Sequence, residues 1–138
     1  MRITGEDPVQ LVEIRPSCRA YADMAEGFLR LIVIEGDFEE DFFRIGETFL
    51  QHGGYFFDVG ANYGLLSFGL ANAGAGRVQF HLFEPNRLLV ERIRRSAQLF
   101  PEMKIAVNPV AVSSAEGEIE IAFNVEHTGA SHVTSGQG

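Results

Sequence analysis

Apolar positions along this 138-residue chain recur with a period near 3.6 in some stretches and near 2 in others, and the changes of period outline a βαβ succession. Phe42, Ile45 and Phe49 lie at helical spacing within Glu39 to Gln51, which predicts a helix that buries those three and ends at Gly53-Gly54. Tyr55 to Val59 is a short apolar run and reads as a parallel strand buried on both sides, with Phe56, Phe57 and Val59 in the core. A helix from Tyr63 to Ala73 follows, its apolar face formed by Leu65, Leu66, Phe68 and Leu70, and Gly74 and Gly76 stop it. Arg77 to Glu84 is the second strand. Asn86 caps a helix from Arg87 to Phe100, with Leu89, Ile93, Ala97 and Phe100 inward and Arg92, Arg94 and Arg95 on a solvated face. After Pro101 the pattern gives a third strand, Lys104 to Val107, a segment Val110 to Ser113 and a turn at Ala115-Glu116-Gly117. The alternating stretch Glu118 to Phe123 then reads as a hairpin strand that puts Ile119, Ile121 and Phe123 on one half-buried face.

The ends are less patterned. In residues 1–37, read as an amino-terminal cap region, Val9 to Ile14 and Phe28 to Ile34 suit strands and Tyr21 to Gly27 is weakly helical. Residues 38–123 form the α/β domain, and residues 124–138 are a polar tail rich in Gly, Ser, Thr and His. His127 and His132 in that tail share no helical face and have no third ligand, so no metal site is expected. Either ring is a candidate base for deprotonating an acceptor hydroxyl.

The chemistry concentrates where the first strand ends. Asp58-Val59-Gly60-Ala61-Asn62-Tyr63-Gly64 carries an apolar strand through an acid and closely spaced glycines into a helix, and Phe83-Glu84-Pro85-Asn86 ends the next strand in a second acid. Glu84 follows the last glycine by about 20 residues, where the carboxylate that accepts from ribose hydroxyls is expected in a nucleotide-binding βαβ unit. The glycines let the backbone turn without a side chain in the ligand's way. Pro85 removes a donor and stops the strand. Gly60-x-Asn62-x-Gly64 does not fit the Gly-x-Gly-x-x-Gly of dinucleotide folds, and Asp58 would lie near the phosphates of a dinucleotide. An acid there suits the cationic amino group of a methionine moiety, directly or through water. The asymmetry favours S-adenosyl-L-methionine over a nicotinamide dinucleotide.

With these strings the chain resembles the FkbM-type family of S-adenosylmethionine-dependent methyltransferases, and the resemblance extends from Gly36-Asp-Phe-Glu39 through Asn108-Pro-Val-Ala111-Val-Ser113 to about Phe123. It implies a Rossmann-like class I fold and O-methylation of a sugar or other small-molecule hydroxyl, with S-adenosyl-L-homocysteine as product. It also implies a cofactor site made of Asp58, Gly60, Ala61, Asn62, Tyr63, Gly64, Glu84, Pro85, Asn86, Ala111 and Ser113, the last two beside the adenine. No catalytic acid or base is assigned, because an activated sulfonium needs chiefly positioning. The family's later Asp-x-Glu-Gly string is missing from this sequence. The expectation is therefore a piece of a longer enzyme, cut after the third strand and a hairpin. The alternatives are a non-catalytic cofactor-binding module and, from the residues alone, a dinucleotide-dependent oxidoreductase. In class I enzymes the fourth strand lies beside the first, so the first strand here is left as an apolar edge. Such an edge pairs with a second copy or with the chain's own amino-terminal strand.

Composition narrows the partners. A net charge of −8 disfavours nucleic acid and anionic membranes, and a hydrophobic content of 46% is ordinary for one globular core. A lone Cys18, no signal-peptide pattern and no apolar run long enough to span a bilayer point to a cytoplasmic protein.

Overall fold

The computed structural model describes residues 8–25, 39–122 and 132–134 of the chain. The expected strand Phe28 to Ile34 lies outside them. The described part is mixed α/β. An antiparallel hairpin, β1 (Val9–Arg15) and β2 (Cys18–Asp23), precedes helix α1 (Glu40–Leu50). Then come β3 (Gly54–Val59), a short helix α2 (Leu65–Gly69), a 3₁₀ turn at Ala73–Gly76, β4 (Val78–Phe83), α3 (Arg87–Ala97) and β5 (Lys104–Asn108). A second small hairpin joins β6 (Glu120–Ala122) to β7 (His132–Thr134). Strands β3, β4 and β5 form one parallel sheet in that order.

The register sorts the sheet's side chains by face. Phe56, Phe80 and Ile105 align across the three strands, as do Asp58, Leu82 and Val107. These positions are buried or half-buried against the helices, with Phe42, Phe56 and Phe80 in edge-on ring contacts. The other face holds three rows, Tyr55-Gln79-Lys104, Phe57-His81-Ala106 and Val59-Phe83-Asn108. Tyr55, Phe57 and Val59 there are 64%, 60% and 61% exposed. The expectation that β3 is buried on both sides is thus corrected. The residues following each strand, α2 and α3, lie with α1 on one face, and no described residue covers the other.

The first hairpin lies against α2 and α3 and belongs to the same core, to which it gives Val12, Ile14, Ala20 and Ala22. Tyr21 N donates to Ser96 Oγ at 2.7 Å, the Arg95 guanidinium stacks 4.0 Å over the Tyr21 ring, and Arg15 reaches both the Phe43 ring and Glu47. The strand Cys18–Asp23 takes in Tyr21 to Asp23, where the sequence suggested the start of a weak helix. Cys18, Ala20 and Ala22 alternate inward with period 2, and small side chains there let the hairpin approach the helices closely. Cys18 is buried, its thiol donates to Gly69 O, and burial pushes its pKa up. No helix among the described residues is long and apolar enough to cross a membrane.

Three further expectations change. Helix α1 turns Phe43 and Leu50 into the core, half-buries Phe42 and leaves Ile45 and Phe49 54% and 83% exposed. The inward stripe runs through Gly46, whose bare Cα lets Leu70 pack against α1. Helix α2 spans five residues because the chain leaves helical geometry at Leu70 and again at Gly74 and Ala75, which have positive φ. Residues Val110 to Ile119 are irregular apart from bends, and Ile119 is 40% exposed rather than on a buried face. The side chain of Ile121 and all of Phe123 lie outside what is described.

Truncation of the two phenylalanines distinguishes the faces of α1. Phe43→Ala is expected to cost about 3–5 kcal/mol and Phe49→Ala less than about 0.5 kcal/mol in urea unfolding. The reverse order would restore the stripe read from the sequence.

Candidate functional site

The carboxyl ends of β3 and β4 are joined by backbone hydrogen bonds into a single ledge. Gly60 N and Ala61 N both donate to Phe83 O, at 2.9 and 3.0 Å, so the loop after β3 begins against the last residue of β4. The loop then makes three left-handed steps, at Gly60 (φ 70°), Asn62 (φ 57°) and Gly64 (φ 76°), a conformation that glycine and asparagine tolerate better than other residues. The two glycines serve different ends. A Cβ on Gly64 would run into the Phe68 ring at 2.8 Å, whereas one on Gly60 would stand in open space. Ala61 and Tyr63 are in the buried core cluster.

Glu84 locks this loop in place. Its Oε1 accepts from Asn62 N at 2.8 Å and its Oε2 from Asn86 N at 2.9 Å, while its own N–H donates to Asn108 O at 3.1 Å. One side chain therefore ties the loop after β3 to the loop after β4. It is 6% exposed, and each oxygen keeps a second lone pair. Asn86 caps α3 as expected, its Oδ1 accepting from Leu88 N at 3.0 Å.

Asp58 faces the helices. Its Oδ2 accepts from Ser67 Oγ at 2.6 Å, and the Ser67 backbone also hydrogen-bonds to it. Burial pushes its pKa above the ordinary 3.8, and the two Ser67 hydrogen bonds hold it partly back. Asp58 thus anchors α2, the element that receives the Gly60–Gly64 loop. Asn62 differs from both acids, since its Oδ1 is buried without a hydrogen-bond partner among the described residues.

Next to this ledge an open cleft of about 890 Å³ is lined by Pro85, Arg87 and the irregular stretch from Pro109 to Ile119, including Ala111 and Ser113. It lies beyond the carboxyl ends of β4 and β5, the end at which parallel sheets take ligands. A second hollow of about 470 Å³, lined by Gly76 and Met103 among others, opens at the amino ends of the same strands. The structure thus gathers the expected residues into two adjoining groups, Gly60–Gly64 with Glu84 and Asn86, and Pro85 with Ala111 and Ser113. His127 lies outside the described residues, and His132 opens β7. No cluster of three metal-ligating side chains occurs among the described residues.

Sequence reasoning missed Ser67, the Phe83 carbonyl and Asn108, whose Nδ2 donates to Leu82 O. Ser67 had a signal, a lone hydroxyl within the apolar run from Leu65 to Leu70. The Phe83 carbonyl had none, because backbone acceptors do not show in a sequence. Comparison with protein-family models, with curated proteins and with solved structures finds no match to this chain.

Two variants test the polar framework. Glu84→Gln sets an amide NH₂ against one of the two backbone donors, and about 2–3 kcal/mol of stability is expected to go. A change under about 0.5 kcal/mol would mean that the carboxylate does not hold the loops. For Asp58 the raised pKa means that the folded state keeps this proton at higher pH than the unfolded state does. Its contribution is therefore full below the unfolded value and is lost as pH rises through the folded one. Asp58→Asn keeps the acceptor for Ser67 and removes the ionisation, so its stability should fall less than wild type's between acid and neutral pH. Parallel pH profiles would count against this burial effect.

Proposed function

We propose that this chain is the cofactor-binding part of a Rossmann-like, FkbM-type S-adenosylmethionine-dependent methyltransferase acting on a small-molecule or sugar hydroxyl. The observation that carries the reading is the Glu84 bridge. A buried carboxylate at the end of the second parallel strand holds the glycine loop of the first, with the spacing and polarity that a ribose partner requires. Open space at Gly60 fits close approach of a ligand to the backbone, and the cleft beside Pro85 has room for a purine.

When bound, S-adenosylmethionine supplies a methyl group already activated by a sulfonium. The chain's part is to hold and orient it. Gly60 and Gly64 shape the loop for the methionine end, with Asn62 Oδ1 as an acceptor in want of a donor and Asp58 fixing α2 behind it. Glu84 would accept ribose hydroxyls on its remaining lone pairs, with Asn86 beside it, and Pro85, Ala111 and Ser113 would line the adenine. The localisation in keeping with this reading is cytoplasmic.

Glu84 and Asp58 are poor sites for a binding test, because changing either disturbs the fold. Gly60→Ala is better. The new Cβ meets no atom within 4 Å, and the left-handed backbone costs only about 1–2 kcal/mol. Calorimetric titration with S-adenosylhomocysteine should show binding to the wild type, at least tenfold weaker binding to a folded Gly60→Ala, and no heat with NAD. Binding of NAD in place of S-adenosylhomocysteine would overturn the reading in favour of an oxidoreductase.

A further inference from the structure

Asn108 ends β5 and touches β4 twice. Its Nδ2 donates to Leu82 O at 3.1 Å, and its backbone O accepts from Glu84 N at 3.1 Å. The two contacts lie on either side of Phe83, the residue paired with Asn108 in the sheet. From the other side, Phe83 O receives Gly60 N and Ala61 N. The end of β4, and with it the backbone from which the Glu84 side chain leaves, is therefore held from β5 as well as from the loop after β3.

The same residue sets the path of the cleft wall. Pro109 has no N–H, so the ladder loses a donor directly after Asn108. Val110 N turns back to Asn108 O at 2.8 Å, closing a three-residue turn around Pro109. Asn108 O thus uses both of its lone pairs. One serves the strand that carries Glu84, and the other serves the segment that leads to Ala111 and Ser113. The Glu84 ledge and the cleft beside Pro85 meet at this residue.

The residue type is informative. Asn108 is half-buried in a row whose other members are Val59 and Phe83, and asparagine is disfavoured in strands. An amide there costs stability unless it is bonded, and its bond goes to the carbonyl two residues before Glu84. We propose that Asn108 is a positioning residue, which holds the Glu84 carboxylate where ribose hydroxyls can reach it and does so without touching the ligand. This rests on the cofactor reading of Glu84 and adds to it the residue that aims the carboxylate.

Asn108→Ala removes the Nδ2 donor, and Asn108→Asp keeps the size but sets an acceptor against Leu82 O. Amide hydrogen exchange by NMR, on the ligand-free chain, reads the hold on Glu84. Asn62 N–H and Asn86 N–H, both bound to Glu84, should exchange about three- to tenfold faster in each variant, the change that one lost hydrogen bond gives. Gly54 N–H, which donates to Arg77 O at the opposite end of the sheet, should keep its rate. Rates unchanged at Asn62 and Asn86, or raised alike at Gly54, overturn the proposal.

Calorimetric titration with S-adenosylhomocysteine and its 2′-deoxy analogue reads the effect on the ribose. Wild type should prefer the hydroxylated ligand at least about tenfold, and both variants less than about threefold. General loosening of the fold would weaken both ligands alike and leave the preference intact. Variants that discriminate as the wild type does overturn the proposal and leave the cofactor reading standing. A wild type that binds neither ligand, or both alike, overturns the reading of Glu84 as the ribose partner, while the exchange rates still decide whether Asn108 holds that carboxylate.

Discussion

One carboxylate organises the ligand-facing end of the sheet. Where two parallel strands stop, their ladder stops too, and the backbone donors of the departing loops lose their partners. Glu84 supplies acceptors to both loops at once, and hydrogen bonds to an ionised group are stronger than those between neutral groups. The Phe83 carbonyl takes the two preceding donors, Gly60 N and Ala61 N. Between them, these adjacent residues of the second strand account for three successive N–H groups of the loop after the first. The left-handed steps at Gly60, Asn62 and Gly64 are the shape that the backbone must take to aim those groups there. A neutral side chain at position 84 would leave the loop's path far less determined.

The glycines nearby answer to packing as much as to ligands. Gly64 admits the Phe68 ring, Gly69 sits where any Cβ would overlap the Phe43 ring, and Gly46 makes room for Leu70. Together they bring α1 and α2 close enough for a five-residue helix to be held by its neighbours rather than by its own length, since a helix that short is not stable alone. The Asp58–Ser67 hydrogen bond completes that support from the sheet side. Gly60 differs from these three, since a Cβ there would stand in open space, and its place in the loop at the carboxyl end of β3 leaves room for something the chain does not itself provide.

The loop chemistry was legible because it is local. An acid, two glycines and an asparagine within seven residues, with Glu84-Pro85-Asn86 after the next apolar run, fix a turn and a cap whatever surrounds them. The faces of elements were less legible. Helix α1 holds two apolar stripes, Phe42-Ile45-Phe49 and Phe43-Leu50, and tertiary contacts, Leu70 against Gly46 and the Phe43 ring against Gly69, select the second. Strand β2 alternates faithfully, but its inward residues Cys18, Ala20 and Ala22 are too small to register as a strong apolar pattern. In β3, unbroken hydrophobicity is the signature of a strand covered twice, and what lies on its outer side is a matter of tertiary arrangement that no window of sequence contains.

Asp58 raises the sharpest question of cost. To hold Ser67 the fold needs an acceptor, and an asparagine carbonyl would serve without a buried charge. The carboxylate is instead desolvated, with hydrogen bonds from Ser67 and, among the described residues, no ion pair to offset the loss. A group maintained at such expense is more intelligible if a positive charge reaches its neighbourhood during function. Under the proposed reading that charge arrives with the cofactor, whose sulfonium and ammonium are cationic. The field of Asp58 then favours the bound state without direct contact, since Coulombic attraction through a low-dielectric core extends beyond hydrogen-bond distance. The same carboxylate would hold α2 in the free chain and lower the energy of the loaded one, which joins the stability of the loop to its occupancy.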